Sequence, residues 1–300
     1  MRKPNFFIIG APKSGTTAMA GYLGDHSDVH FCEPKEPCFF SSDFPGQQLV
    51  KREEDYLALF NEEQGAFDAV GEGSVWSLYS QVALRNIRAF DPQARIIVML
   101  RNPVEQVYSM HQELYHRRYE TEADFITAWG LQDSRRAGQN IPAHCKESAF
   151  LQYGQIASYA EQVERLLQIF SREQVQIVIF DDFKADTRKT YQTLLDFLGV
   201  GDDGRTEFRP SLESRRHRLH WLGAFLINQP DWLVRVKSAV KGVFGLNQLG
   251  VRDMVAKYNT VIEKRPPLPP EFREELKDYF RADVLRLSRI LNRDLSHWCQ

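Results

Sequence analysis

With 300 residues, 43% of them apolar and 26% charged, the chain can fill the core of one large α/β domain. A formal net charge of −2 excludes a general pull toward nucleic acid. The four cysteines, Cys32, Cys38, Cys145 and Cys299, contain no CxxC pair and match no zinc spacing, and no stretch approaches a transmembrane helix or a signal-peptide core, so reduced thiols and a cytoplasmic location are expected.

In chain order, Phe6-Phe7-Ile8-Ile9 reads as a buried strand, residues 10–15 as a loop and residues 16–25 as a helix. Further strands are expected at 28–31, 69–72, 96–100 and 175–180. Pro103 suits the first turn of a helix running past Tyr108 and Leu114. Residues 155–170 read as one amphipathic helix. Residues 187–198 read as another, closed by Gly199. The alternation argues for a P-loop-like parallel sheet flanked by helices, in a single domain spanning 1–300 with its core at about 5–200. A helical C-terminal elaboration follows. Residues 209–265 carry eleven Lys and Arg against four Asp and Glu. Within them, residues 221–249 are helical in pattern and rich in Trp, Phe and Leu. After the stiff Pro266-Pro267-Leu268-Pro269-Pro270 break, residues 271–291 form a last amphipathic helix.

The first loop reads Gly10-Ala11-Pro12-Lys13-Ser14-Gly15-Thr16-Thr17 between a strand and a helix. Backbone N–H groups and the helix N-terminus favour an anion at such a place. Lys13, Ser14, Thr16 and Thr17 add donors. The spacing nearly matches GxxxxGK[ST], but Thr16 stands where an ATPase carries its lysine. Arg101 closes the 96–100 strand, where ligand crevices of open sheets lie, and Arg suits bidentate phosphate contact. An ion pair with Glu105, four positions on, is the ordinary alternative.

Together these stretches resemble the PAPS-dependent sulfotransferases (PAPS is 3′-phosphoadenosine-5′-phosphosulfate). Pro12-Lys13-Ser14-Gly15-Thr16-Thr17 is similar to that family's 5′-phosphosulfate loop, and Arg101-Asn102-Pro103 with Ser109 to its 3′-phosphate element. The runs Lys35-Glu36-Pro37-Cys38-Phe39-Phe40 and Gly71-Glu72-Gly73-Ser74 also match. The Glu-x-x-Phe-Phe run resembles the bacterial relatives of heparan-sulfate sulfotransferases. The resemblance implies PAPS as donor, PAP as product, no metal requirement, Glu36 as general base and Lys13 at the leaving phosphate. It also suggests Arg215 and Arg216 in a basic loop over the 3′-phosphate. Phe39 and Phe40 are expected to anchor the Glu36 segment, and Pro37 to bias Glu36 toward extended backbone. Glu33 is a rival base, and among the N-terminal histidines His26, His30, His111 and His116, His111 shares a helix with Ser109. Gly73 departs from glycan-modifying relatives that carry lysine there.

A glycan, a lipid, a polyketide chain or a small alcohol would all fit as acceptor. The late helices would serve as a lid, a membrane-surface contact or core packing. The competing reading is a P-loop nucleotide kinase or NTPase, with Asp181 ending a strand as a magnesium ligand. A scaffold that kept the fold without catalysis is the third.

Overall fold

In the computed structural model, the residues described are 3–60, 67–209, 215–217, 260–262 and 266–300. The chain divides into two units, one formed by Met1–Ser211 with Leu268–Gln300 and the other by Leu212–Pro267. Of the second unit, the described part is a two-stranded antiparallel ribbon, with Arg215–His217 opposite Thr260–Ile262. Residues 221–249, expected to be helical, lie outside the described residues.

The first unit is built on five parallel strands: β1 (Phe6–Gly10), β2 (Val29–Phe31), β3 (Ala69–Glu72), β4 (Arg95–Leu100) and β5 (Val175–Ile179). Their spatial order is β2-β3-β1-β4-β5. β1 is central, and every residue in it is buried, which explains its uninterrupted apolar run. Strand period two divides its side chains between two cores. Phe7 and Ile9 enter one with Ile96, Val98 and Leu100 of β4, while Phe6 and Ile8 enter the other with Ile97 and Met99.

Helices cover both faces. The Phe6–Ile8 face is packed by α1 (Thr16–Gly24) and by α10 (Thr187–Leu198). The opposite face is packed by α3 (Ala83–Phe90), α4 (Pro103–His116), α8 (Tyr159–Ile169) and the long α11 (Pro270–Leu291). Shorter helices are α2 (Glu53–Ala58), α5 (Phe125–Gly130), α6 (Gln132–Arg136), α7 (Tyr153–Ala157) and α9 (Phe180–Ala185). The sequence signals act where expected: Pro103 opens α4 and Gly199 closes α10 at φ 70°; Asn102 adds a side-chain cap to α4.

The single helix expected at 155–170 is instead two, α7 and α8, broken at Ser158. Asp283 of α11 supplies the reason. Its carboxylate accepts from the Tyr159 N–H at 2.8 Å and the Ala160 N–H at 3.1 Å, capping a fresh helix start from 124 residues away.

Strand order places the site. β3 and β2 lie on one side of β1 and β4 and β5 on the other, so the topology reverses between β1 and β4. The crevice at their carboxyl ends is where α/β sheets of this kind take ligands. The loop after Gly10 and the Arg101 that follows Leu100 both open there.

Candidate active site

The loop from Pro12 to Thr17 is tied down from β4 and α4. The Arg101 Nη1 donates to the Lys13 carbonyl at 3.2 Å, and Gln106 Nε2 donates to the Pro12 carbonyl at 3.1 Å. Lys13 itself sits at φ 63°, a left-handed conformation uncommon for a lysine. Gly15 is the N-cap of α1, at φ 89°. A Cβ there would stand 3.0 Å from the Phe180 ring and 3.1 Å from Phe183, so glycine is required by both backbone and space. Glycine also brings no side-chain cap to the first turn of α1. Ser14 is fully buried, and its hydroxyl has no hydrogen-bond partner. A buried, unpartnered donor at a helix N-terminus fits an anionic oxygen. Thr16 is buried and Thr17 exposed.

Arg101 lies under the loop. Its guanidinium stacks 4.9 Å over the Phe180 ring, and burial pulls its pKa down, with Glu105 opposing. The Glu105 pair is present but loose at 3.9 Å, because Glu105 is engaged by Arg273 of α11 at 2.7 Å. Ser109 is buried on α4, 2% exposed. Thus the structure brings Pro12 to Thr17, Arg101 and the α4 residues together at one end of the sheet. For Arg215 and Arg216 the described feature is the strand backbone alone.

The Glu36 segment is anchored as the two phenylalanines suggest. Phe40 packs edge-on against Phe7, Tyr56 and Phe90, and Phe39 stacks on Tyr56 at 4.5 Å. Glu36 is not extended, however. Its φ is 67°, on the left-handed side, and the expected effect of Pro37 is overridden. Two contacts hold the turn: Lys35 Nζ meets Glu36 Oε1 at 2.9 Å, and the Cys38 N–H donates to Ser74 Oγ at 3.0 Å. The cation touching Glu36 is therefore Lys35. The Lys13 ammonium instead contacts Glu113 Oε2 at 3.1 Å. Gly73 makes room for Lys35: a Cβ there would stand 3.1 Å from Lys35 Cε.

The rivals to Glu36 fare differently. Glu33 is exposed. His111 is fully buried among Phe125, Tyr115 and Tyr153, with Nε2 2.9 Å from the Glu122 carbonyl, and burial lowers its pKa. His26 is tied to the Gly201 carbonyl at 2.9 Å and His30 packs against Phe60 and Phe67. Asp181, the metal candidate of the kinase reading, accepts from Trp298 Nε1 at 2.7 Å at the start of α9.

Sequence reasoning missed Gln106, Glu113, Arg117 and Tyr159. Glu113 bridges Lys13 and Arg117, the latter at 2.6 Å. Burial would raise its pKa, but Lys13 and Arg117 hold it down at about 2. Its position one turn past Ser109 on the same helix was the available signal. The Tyr159 hydroxyl is buried beside Ser14 and Arg101, and burial pushes its pKa upward.

Glu72, at the carboxyl end of β3, is fully buried. One oxygen accepts from Ser74 Oγ at 2.8 Å and the other has no partner. Burial pushes its pKa from an ordinary 4.5 up to about 7, against the Ser74 hydrogen bond and Lys35. Because the folded pKa is raised, the folded protein holds this proton more tightly than the unfolded chain. The associated stability is complete below about pH 4.5 and lost as pH rises through about 7. Glu72→Gln is therefore expected to raise Tm relative to wild type more at pH 8 than at pH 5. Equal shifts at both pH values would show that Glu72 titrates alike in the two states.

A loop and helix N-terminus at the topological switch point of an α/β sheet form an arrangement suited to phosphate-bearing ligands. The particular family follows from comparison with known proteins. The sulfotransferase domain model matches residues 3–210, and the chain belongs to that family. It is 29% identical over 203 residues to the bifunctional heparan sulfate N-deacetylase/N-sulfotransferase 1 of Xenopus laevis, covering 66% of this chain and 22% of that protein. It is 26% identical over 248 residues to human carbohydrate sulfotransferase 15, covering 66% of this chain and 44% of that protein. The chain thus spans less than half the length of these relatives. A sulfotransferase from Alicyclobacillus acidocaldarius superimposes over the full length of both chains with a TM-score of 0.72 and 27% identity. The chain has the parallel-sheet architecture expected from its sequence. Among the described residues no helix is long and apolar enough to cross a membrane.

Proposed function

We propose that this enzyme transfers a sulfo group from PAPS to a hydroxyl or amine of a glycan acceptor. The observation that carries the donor assignment is the paired placement of two anion-binding elements. The 12–17 loop, with its buried unpartnered Ser14 hydroxyl, and Arg101 with the α4 helix meet at one crevice and are hydrogen-bonded to each other. In this reading the loop and the N-terminus of α1 receive the 5′-phosphosulfate, and Arg101 with Ser109 the 3′-phosphate; Arg215 and Arg216 are further candidates for that end. The glycan class rests on the names of the relatives matched.

Chemically, the acceptor lone pair attacks sulfur as the bond from sulfur to the phosphate oxygen breaks in line, leaving PAP. Glu36 takes up the acceptor proton, and Lys13 offsets charge gathering on the released phosphate oxygen. Each group is held by an ion pair, Glu36 with Lys35 and Lys13 with Glu113, which supports the reading. The reaction asks for no metal ion.

Radiolabelled PAPS offered with free-amine and hydroxyl glycans, lipids and small alcohols tests the reading. Label is expected in a glycan without added magnesium. Magnesium-dependent ATP turnover with no binding of PAP would reverse it in favour of a kinase or NTPase.

Arg101→Ala is expected to weaken PAP binding by about 2–3 kcal/mol, the value of a part-buried charge-assisted contact. Binding of the 3′-dephospho analogue should change far less. Calorimetry with both nucleotides decides, and equal losses would remove Arg101 from the 3′-phosphate.

A further inference from the structure

Charges of alternating sign link the two proposed catalytic groups. Lys35 contacts Glu36 at 2.9 Å; Glu36 lies within electrostatic reach of Arg117; Arg117 Nε contacts Glu113 Oε1 at 2.6 Å; and Glu113 Oε2 contacts Lys13 at 3.1 Å. Glu113 therefore spends one oxygen on each of two cations. We propose that Glu113 is a positioning residue that holds the Lys13 ammonium in the resting enzyme and gives it up to the 5′-phosphate end of the bound nucleotide. The proposal rests on the reading of Lys13 as a phosphate contact.

Three features of the site support the exchange. First, the root of the Lys13 side chain is fixed, because the Lys13 and Pro12 carbonyls are held by Arg101 and Gln106. Only the side-chain torsions remain to carry the ammonium from one anion to another. Second, Glu113 keeps Arg117 when Lys13 leaves, so no uncompensated carboxylate is stranded in a part-buried position. Third, the Lys13–Glu113 pair is partly solvated, with side chains 27% and 31% exposed. Such pairs are weak enough to be exchanged without a large barrier. The trade also has an energetic signature. Nucleotide binding gains a Lys13 contact but gives up the Glu113 contact, so Lys13 contributes little net affinity while remaining placed for the chemical step.

The test is PAP titration by calorimetry across a small set of variants. Glu113→Gln removes the competitor and is expected to tighten PAP binding about two- to fivefold. Arg117→Ala leaves Glu113 to Lys13 alone and is expected to weaken PAP binding about two- to threefold. That loss should vanish when Glu113→Gln is also present. Lys13→Ala should cost more PAP affinity in the Glu113→Gln background than in wild type. A merely structural Glu113 would give the opposite sign for Glu113→Gln, so unchanged or weaker PAP binding overturns the exchange. Should Glu113→Gln fail to fold, Arg117→Ala carries the test, and unchanged or tighter binding there overturns it. If Lys13→Ala changes PAP affinity in neither background, the phosphate-contact reading itself falls. A loss in both backgrounds of equal size overturns the exchange alone.

Discussion

Replacing Glu36 by glutamine is expected to slow the chemical step by roughly 10²- to 10⁴-fold, the usual size of a general-base contribution. The substitution keeps the shape of the side chain and can still accept from Lys35, so the turn at φ 67° should persist. The aromatic anchors of the segment, Phe39 and Phe40, are untouched. Folding and PAP affinity should therefore remain close to wild type, which separates a proton-transfer defect from a packing defect. Single-turnover sulfo transfer with saturating donor and acceptor is the measurement. A rate within a few-fold of wild type would remove Glu36 from the reaction. Glu33 and His111 would then be substituted in turn, although the burial of His111 against Phe125 and Tyr153 gives it no obvious route to an acceptor.

Lys13→Ala is expected to lower turnover by about 10²- to 10³-fold, the loss typical of one group that stabilises developing charge. PAP affinity should fall only a few-fold, because in the proposed exchange the lysine would give up its Glu113 partner to make a phosphate contact. The split between turnover and affinity is the diagnostic. Parallel losses would mark Lys13 as a uniform binding residue, and near-normal turnover would end its assigned role. Circular dichroism provides the control for loop integrity, since the Arg101 guanidinium bonds to the Lys13 main-chain carbonyl, which the substitution leaves in place.

How much was legible in the sequence follows from where each signal resides. β1 and β4 are buried on both faces, and their unbroken apolar runs announced them. α10 carried its own stops in Asp186 and Gly199. By contrast α2, α5 and α6 have six, six and five residues, too few turns for a helical period to show. The 12–17 loop was readable as a strand-to-helix turn because its parts are contiguous. Gln106 and Glu113 reach that loop from 94 and 100 residues away, and their role depends on α4 crossing behind it. The left-handed backbone of Glu36 was hidden for a similar reason. Pro37 argued for extension locally, whereas the fold ties Cys38 to Ser74, 36 residues on. The break at Ser158 was likewise invisible, since its cause is a carboxylate on the last long helix.

That carboxylate, Asp283, bears on the order in which the enzyme is assembled. The N-terminus of α8 and the Tyr159 it carries stand beside Ser14 and Arg101, yet their cap belongs to a helix translated more than a hundred residues later. During synthesis the 12–17 loop, β1 and β4 emerge early, whereas the carboxylate that caps α8 arrives only with α11. A nascent chain halted before Asp283 would hold the whole 12–17 loop and Arg101 and still lack the cap of α8. The proposed nucleotide site would thus be completed late, as a property of the whole unit rather than of the segment that carries the motif.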